Sequence, residues 1–219
     1  MFHLPLFPLN VVLFPGMPLD LHIFEPRYRR MIRECLEQKS PFGVALIRQG
    51  LEALGPLAVP FAVGCSARIV QVEQMEDGRM NLVVVGDERF RILSLDTSLP
   101  YLRGEVESYP LENPHPLTVL RGVAELHEQV NHYLRRLSAA SKDDLDLSEM
   151  ELPDDAHGLL YLSAALLQIP LVEKQPLLES PHAGDLLDRL QRLYRREIAL
   201  LSPALPEDEE RNRRSAWLN

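Results

Sequence analysis

Cysteine is scarce in this sequence: two residues, Cys35 and Cys65, stand among 219. They allow at most one disulfide and form no CxxC unit, which excludes a disulfide scaffold and a cysteine zinc site. Positive charge is also short, with 23 Lys and Arg against 32 Asp and Glu and a formal charge of −9. Such a surface repels a polyanion unless basic side chains are gathered into one patch. No Lys or Arg precedes the apolar residues of "MFHLPLFPLN", so the charged start of a secretory signal is missing, and its prolines oppose a helix. The most apolar later stretch, "GLLYLSAALLQIPLV", is broken by Ser163, Gln168 and Pro170. It falls short of the roughly 20 apolar residues that span a bilayer. A soluble, cytoplasmic protein with no membrane partner is expected.

Motifs of catalysis are missing too. An ATPase needs a cradle such as GxxxxGK[ST], in which backbone N–H groups and a Lys wrap the phosphates, and none is present. The dinucleotide fingerprint GxGxxG and the GxSxG elbow are likewise absent. "HEQVNH" has the look of a zinc motif, but its second histidine, His132, lies at i+5 from His127. That is about 140° around a helix rather than one turn along it. Surface histidines are expected there. No catalytic residue, metal ligand or cofactor site is assigned.

What is present reads as two halves. Up to about residue 110, short alternating or β-branched runs lie between Gly and Pro signals, as strands do. "LDLHIF" puts Leu19, Leu21 and Ile23 on one face and Asp20, His22 and Phe24 on the other. "FGVALI", "AVGCSARIVQVEQ", "NLVVVGDERFRILSL" and "YLRGEVESY" supply further strands, and Asp77-Gly78 marks a tight hairpin. One helix interrupts them: in "PRYRRMIRECLEQ", Tyr28, Met31, Ile32, Cys35 and Leu36 recur with helical period. Cys35 and Cys65 read as small core residues rather than nucleophiles.

Beyond "ENPHP" the pattern predicts helices over 117–138, 156–168, about 172–179, and 183–201. Net charge is −2 for residues 1–110 and −7 for 111–219. The acidic stretch "SKDDLDLSEMELPDD" reads as an exposed connection, and residues 204–219 as a flexible tail. The expected division is a β domain over 1–110, a helical domain over 111–203 packed on or beside it, and the tail.

The stretch "LFPGMPLDLHIFEPRYRRM" combines three devices. Pro15 and Gly16 suit the centre of a type II turn, "LDLHIF" is a strand, and Pro26 suits the first position of a helix. Glu25 then lies extended, near the positive end of the helix dipole. A strand-to-helix joint explains this carboxylate without catalysis. Glu25, Arg27 and Tyr28 are nevertheless candidates for lining a binding cleft at the joint. Arg89 and Arg91 form a second candidate pair, expected to be exposed on one strand face with Phe90 buried on the other.

"LPLFPLNVVLFPGMPLDLHIFEPRYRRMI", "FGVALI", "VGCSARIVQVEQMEDGRMNLVVVGDERFRIL", "PYLRGEVE" and "LLYLSAALLQIPLVEKQPLLE" together resemble, in order, the N-terminal, substrate-binding domain of Lon proteases. The resemblance runs from about residue 3 to about 200 and is strongest to bacterial proteins made of this domain alone. Full-length members add an ATPase module and a Ser-Lys peptidase domain. The resemblance implies an α+β fold: a PUA-like, strongly bent β-barrel or pseudo-barrel with one inserted helix, followed by a helical bundle. Two departures are local: Cys65 stands where the family usually has Thr or another small residue, and Pro176 interrupts "KQPLLE".

The resemblance also implies a role with polypeptides, since in full-length Lon this region helps recognise unfolded or tagged substrates and supports oligomer assembly. The expected function is therefore a non-enzymatic module for unfolded or extended polypeptide segments, an adaptor or regulator with a protease or chaperone as partner. RNA binding, suggested by the PUA-like label, is opposed by the net charge. A small-molecule binder using the barrel cleft has no supporting motif.

Overall fold

A computed structural model describes residues 1–52, 55–113, 115–140 and 150–201. Most of the acidic stretch and the expected tail lie outside the described residues. In chain order the elements are β1 (Phe2–Leu9), β2 (Pro18–Ile23), α1 (Pro26–Gln38), β3 (Phe42–Gln49), β4 (Val59–Pro60), β5 (Val63–Gln74), β6 (Met80–Asp96) and β7 (Leu102–Ser108). Among the described residues four helices follow: α2 (Pro116–Ala140), α3 (Ala156–Leu166), α4 (Leu171–Leu178) and α5 (Ala183–Leu200).

Neighbouring strands run β1-β7-β6-β5-β3, and a parallel pairing of β1 with β3 closes this path into a bent barrel. The expected α+β architecture is observed. Bending is concentrated in the long strands, where register shifts between Cys65 and Ala67, Ile69 and Gln71, and Ile92 and Ser94 mark bulges or irregularities. β6 changes partner along its length, pairing with β2 over Met80–Val85 and with β7 from Phe90 onward.

β1 is a strand that sequence reasoning did not identify, because Pro5 and Pro8 disguise it. Each proline sits where the missing N–H does least damage. β7 pairs with residues 2–6 and β3 with residues 6–9, so at Pro5 and at Pro8 the strand has one partner rather than two.

The expected turn at Pro15-Gly16 is present: Met17 N–H donates to Phe14 C=O at 3.1 Å and Gly16 has φ of 79°. This turn lies against β6, with Gly16 N–H donating to Gly86 C=O at 2.8 Å. A Cβ at Gly86 would sit 2.2 Å from Phe14 O, so only glycine permits the contact. The Asp77-Gly78 hairpin also forms, with Gly78 at φ 80°. α4 runs through Pro176 despite the lost N–H.

Among the described residues three apolar clusters form. One fills the barrel beneath α1, with Phe7 and Tyr28 rings 4.1 Å apart. A small one gathers Leu4, Leu6, Phe90, Leu102 and Val106. The third joins the two halves, packing Phe14, Leu46 and Val63 against the helices, where Tyr133 and Tyr194 meet edge to face at 5.3 Å.

Polar contacts cross the same junction. Arg89, expected to be exposed, is 2% exposed. Its Nη1 donates to the Leu178 and Ser180 carbonyls at 2.6 and 2.7 Å, and its guanidinium lies over the Tyr109 ring at 4.8 Å. Strand alternation assigns Arg89 and Phe90 to opposite faces, but both faces are covered here: Phe90 joins an apolar cluster, and the end of α4 closes over Arg89. Gln175 Nε2 donates to Val63 C=O at 3.0 Å, and Tyr109 OH to Glu179 C=O at 3.0 Å. Arg91 remains half-buried, over the Tyr109 ring at 4.2 Å and 3.5 Å from Glu107.

Arg89→Ala strands two buried carbonyls and opens a void, so urea denaturation is expected to show a loss of about 3 kcal/mol. Arg91→Ala should cost less than about 1 kcal/mol, because its ion pair is open to water.

Candidate functional site

The five candidate residues fall into two places. Glu25, Arg27 and Tyr28 meet at the start of α1, whereas Arg89 and Arg91 sit at the junction with the helices. At the first place the sequence dictates the geometry. Glu25 is the N-cap of α1, extended at φ −70° and ψ 135°, and Pro26 follows it. Its side chain makes no capping hydrogen bond; Glu25 Oε2 instead pairs with Arg27 Nη2 at 3.0 Å. Arg27 also donates to Gly55 C=O at 3.2 Å and lies 4.7 Å from the centre of the Tyr28 ring. Burial of Tyr28 among Phe7 and its neighbours raises its pKa above the usual tyrosine value. The trio is thus an ion pair braced on a buried ring, beside a cleft of about 290 Å³. Phe7, Leu9, Ile23 and Tyr28 form its apolar lining, while Asp20, Glu25 and Glu52 bring carboxylates to it.

At the second place Arg89 borders a cavity of about 230 Å³ shared with Asp87, Glu88, His157 and Tyr161. Burial pulls its pKa down, yet a guanidinium stays charged at neutral pH. It serves as a clamp between halves rather than as an exposed stacking platform.

A larger concavity, about 500 Å³ and mostly apolar, lies between the turn at residues 15–18 and α3. Met17, Met150, Pro153, Tyr161, Leu162 and Leu166 line it. Sequence reasoning named none of these as site residues. The signal was present: α3 buries Leu159, Leu160, Ser163 and Ala164 in the core, and its further apolar residues face elsewhere. A helix apolar beyond one stripe has a second surface to cover.

The remaining chemical candidates are quiet. Burial pushes the Cys35 thiol up to about 11 and the Cys65 thiol up to about 12. His127 and His132 are exposed and bond to Asn131 and Arg136 of their own helix. Among the described residues no three His, Cys, Asp or Glu side chains gather as a metal site, and no helix is long and apolar enough to cross a membrane.

Comparison with known proteins decides the family. The model of the ATP-dependent protease La (LON) substrate-binding domain matches residues 3–196. The chain belongs to this family. It is 30% identical over 194 residues to a Lon protease of Parabacteroides distasonis, a match covering 87% of this chain and 23% of that one. It is 29% identical over 210 residues to the LON peptidase N-terminal domain and RING finger protein C14F5.10c of Schizosaccharomyces pombe, covering 84% of this chain and 43% of that one. A crystal structure of a Lon N-terminal domain protein from Xanthomonas campestris superimposes with a TM-score of 0.63 and 27% identity, over 88% of this chain and 98% of that one. The N-terminal domain of Mycobacterium avium complex Lon protease shares the fold, with a TM-score of 0.64 and 20% identity over 88% of this chain and 98% of that one. The chain spans about a fifth of the length of the first curated Lon relatives it matches. The match lies in the Lon region described as substrate-binding.

Two outcomes follow from this geometry. Glu25→Gln should lower stability by about 1 kcal/mol in urea denaturation, through loss of a largely water-shielded ion pair near a helix N-terminus. Iodoacetamide at pH 8 should leave both cysteines unmodified in the native protein and alkylate both in denaturant.

Proposed function

We propose that this Lon substrate-binding domain is a non-enzymatic module that binds exposed apolar or extended segments of other polypeptides. It acts in the cytoplasm as an adaptor or regulator in protein quality control, with a protease or chaperone as its partner. The observation that carries the reading is the apolar groove between residues 15–18 and α3, in a chain whose family is described as substrate-binding. Unfolded chains differ from folded ones in displaying apolar side chains on extended backbone. A concave apolar surface with few polar groups recovers transfer free energy from the side chains without demanding one sequence. Rigid walls favour this use, since the turn is fixed through Gly86 and α3 is anchored in the shared core.

The proposed division into a β domain over 1–110 and a helical domain over 111–203 places the groove between a turn of one and a helix of the other. Groove geometry then depends on the Arg89 clamp as well as on its own lining.

A fluorescently labelled, chemically unfolded polypeptide should bind the purified chain, whereas the same polypeptide folded and an RNA oligomer should not. Ala165→Glu places a carboxylate in the groove and should weaken binding at least about tenfold with little change in thermal stability. Equal binding of folded and unfolded probes, or unchanged affinity in Ala165→Glu, would contradict the proposal.

A further inference from the structure

β2 is paired on one side only. β6 takes Pro18–Ile23 in antiparallel register, and among the described residues no other strand joins β2. Its outer side therefore presents unpaired N–H and C=O groups, onto which an extended chain adds as a further strand. The cleft at the start of α1 runs along this edge. Asp20 to Phe24 line it together with Phe7, Leu9, Tyr28 and Glu52, and no residue of β6, the one strand paired with β2 among the described residues, is in the lining.

The chemistry of the cleft selects among extended chains. Its walls are apolar, and Phe24, 43% exposed, adds an aromatic ring at the rim, stacked on His22 at 6.0 Å. Three carboxylates, those of Asp20, Glu25 and Glu52, line it with no Lys or Arg among the lining residues. Arg27 holds Glu25 from outside that lining at 3.0 Å, and Glu52 Oε2 accepts from the Asn10 N–H at 2.7 Å. Asp20 is exposed and makes no ion pair among the described residues. The cleft is net negative, and its complement is a cation carried on an extended backbone.

We infer that the outer edge of β2 docks an extended polypeptide segment as an added strand, with a Lys or Arg side chain beside Asp20 and Glu52 and an apolar side chain against Phe24. The inference rests on the polypeptide-binding reading and adds to it the docking strand and the side chains preferred. Backbone pairing supplies affinity without regard to sequence, and the acidic cleft supplies the choice.

Three labelled peptides test it, identical except that Lys, Gln or Glu stands four residues from a Phe in an otherwise Val- and Thr-rich sequence, so that the two side chains share one strand face as Asp20 and Phe24 do. A fourth carries the Lys sequence with alternate backbone amides methylated on the edge that would pair. By fluorescence anisotropy at low salt, the Lys peptide should bind about fivefold tighter than its Gln twin, the scale of two partly exposed charge pairs, and the Glu twin weakest. Methylation should abolish the tight binding. The double variant Asp20→Asn, Glu52→Gln should bind the Lys and Gln peptides equally, at the Gln affinity and with an unchanged Tm. A benzophenone on the Lys peptide should cross-link to residues 18–25. Equal binding of Lys and Gln peptides, a preference that survives the double variant, or cross-links confined to α3 would overturn the inference. If an unfolded polypeptide still binds in those cases, the general polypeptide-binding reading stands; if it does not, both fall.

Discussion

One buried cation ties the two halves of this molecule together. Arg89 leaves a strand of the barrel, ends beneath the last turn of α4, and donates to the Leu178 carbonyl at the helix end and to the Ser180 carbonyl just beyond it. A guanidinium suits this place. It faces the negative end of a helix dipole, and its flat surface lies over Tyr109. No carboxylate lies within ion-pair distance among the described residues, so carbonyl dipoles and aromatic rings hold the charge. Around it the shared apolar cluster packs Phe14 and Val63 against the helices, and the groove between residues 15–18 and α3 inherits its spacing from that packing.

Much of the fold was legible because its signals are local. Period-two runs, the Pro15-Gly16 and Asp77-Gly78 turns, Pro26 at a helix start and the apolar stripe of α1 each follow from the conformational limits of a few residues. β1 was hidden because Pro5 and Pro8 mimic a loop. Its status as a strand depends on partners about 40 and 100 residues away that each cover half of it. Such pairing leaves no mark in a ten-residue window.

The site divides in the same way. Glu25, Arg27 and Tyr28 come together because they are close in sequence on one helix start, so spacing alone groups them. Arg89 was misplaced as an exposed residue because alternation assigns sides, not coverings: what closes over that side is α4, about 90 residues later. The groove is built from a turn in the first half and a helix in the second, and no local pattern joins them. Its one sequence trace is the excess of apolar residues in α3.

The central claim is that polypeptide segments engage the groove and the adjoining strand edge, not an arbitrary patch of surface. Hydrogen–deuterium exchange of the chain with and without a saturating unfolded polypeptide tests this most directly. The account predicts slowed exchange in residues 15–25 and in α3, with the barrel strands β3 and β7 unchanged. Protection confined to other elements, or none at saturation, would contradict it.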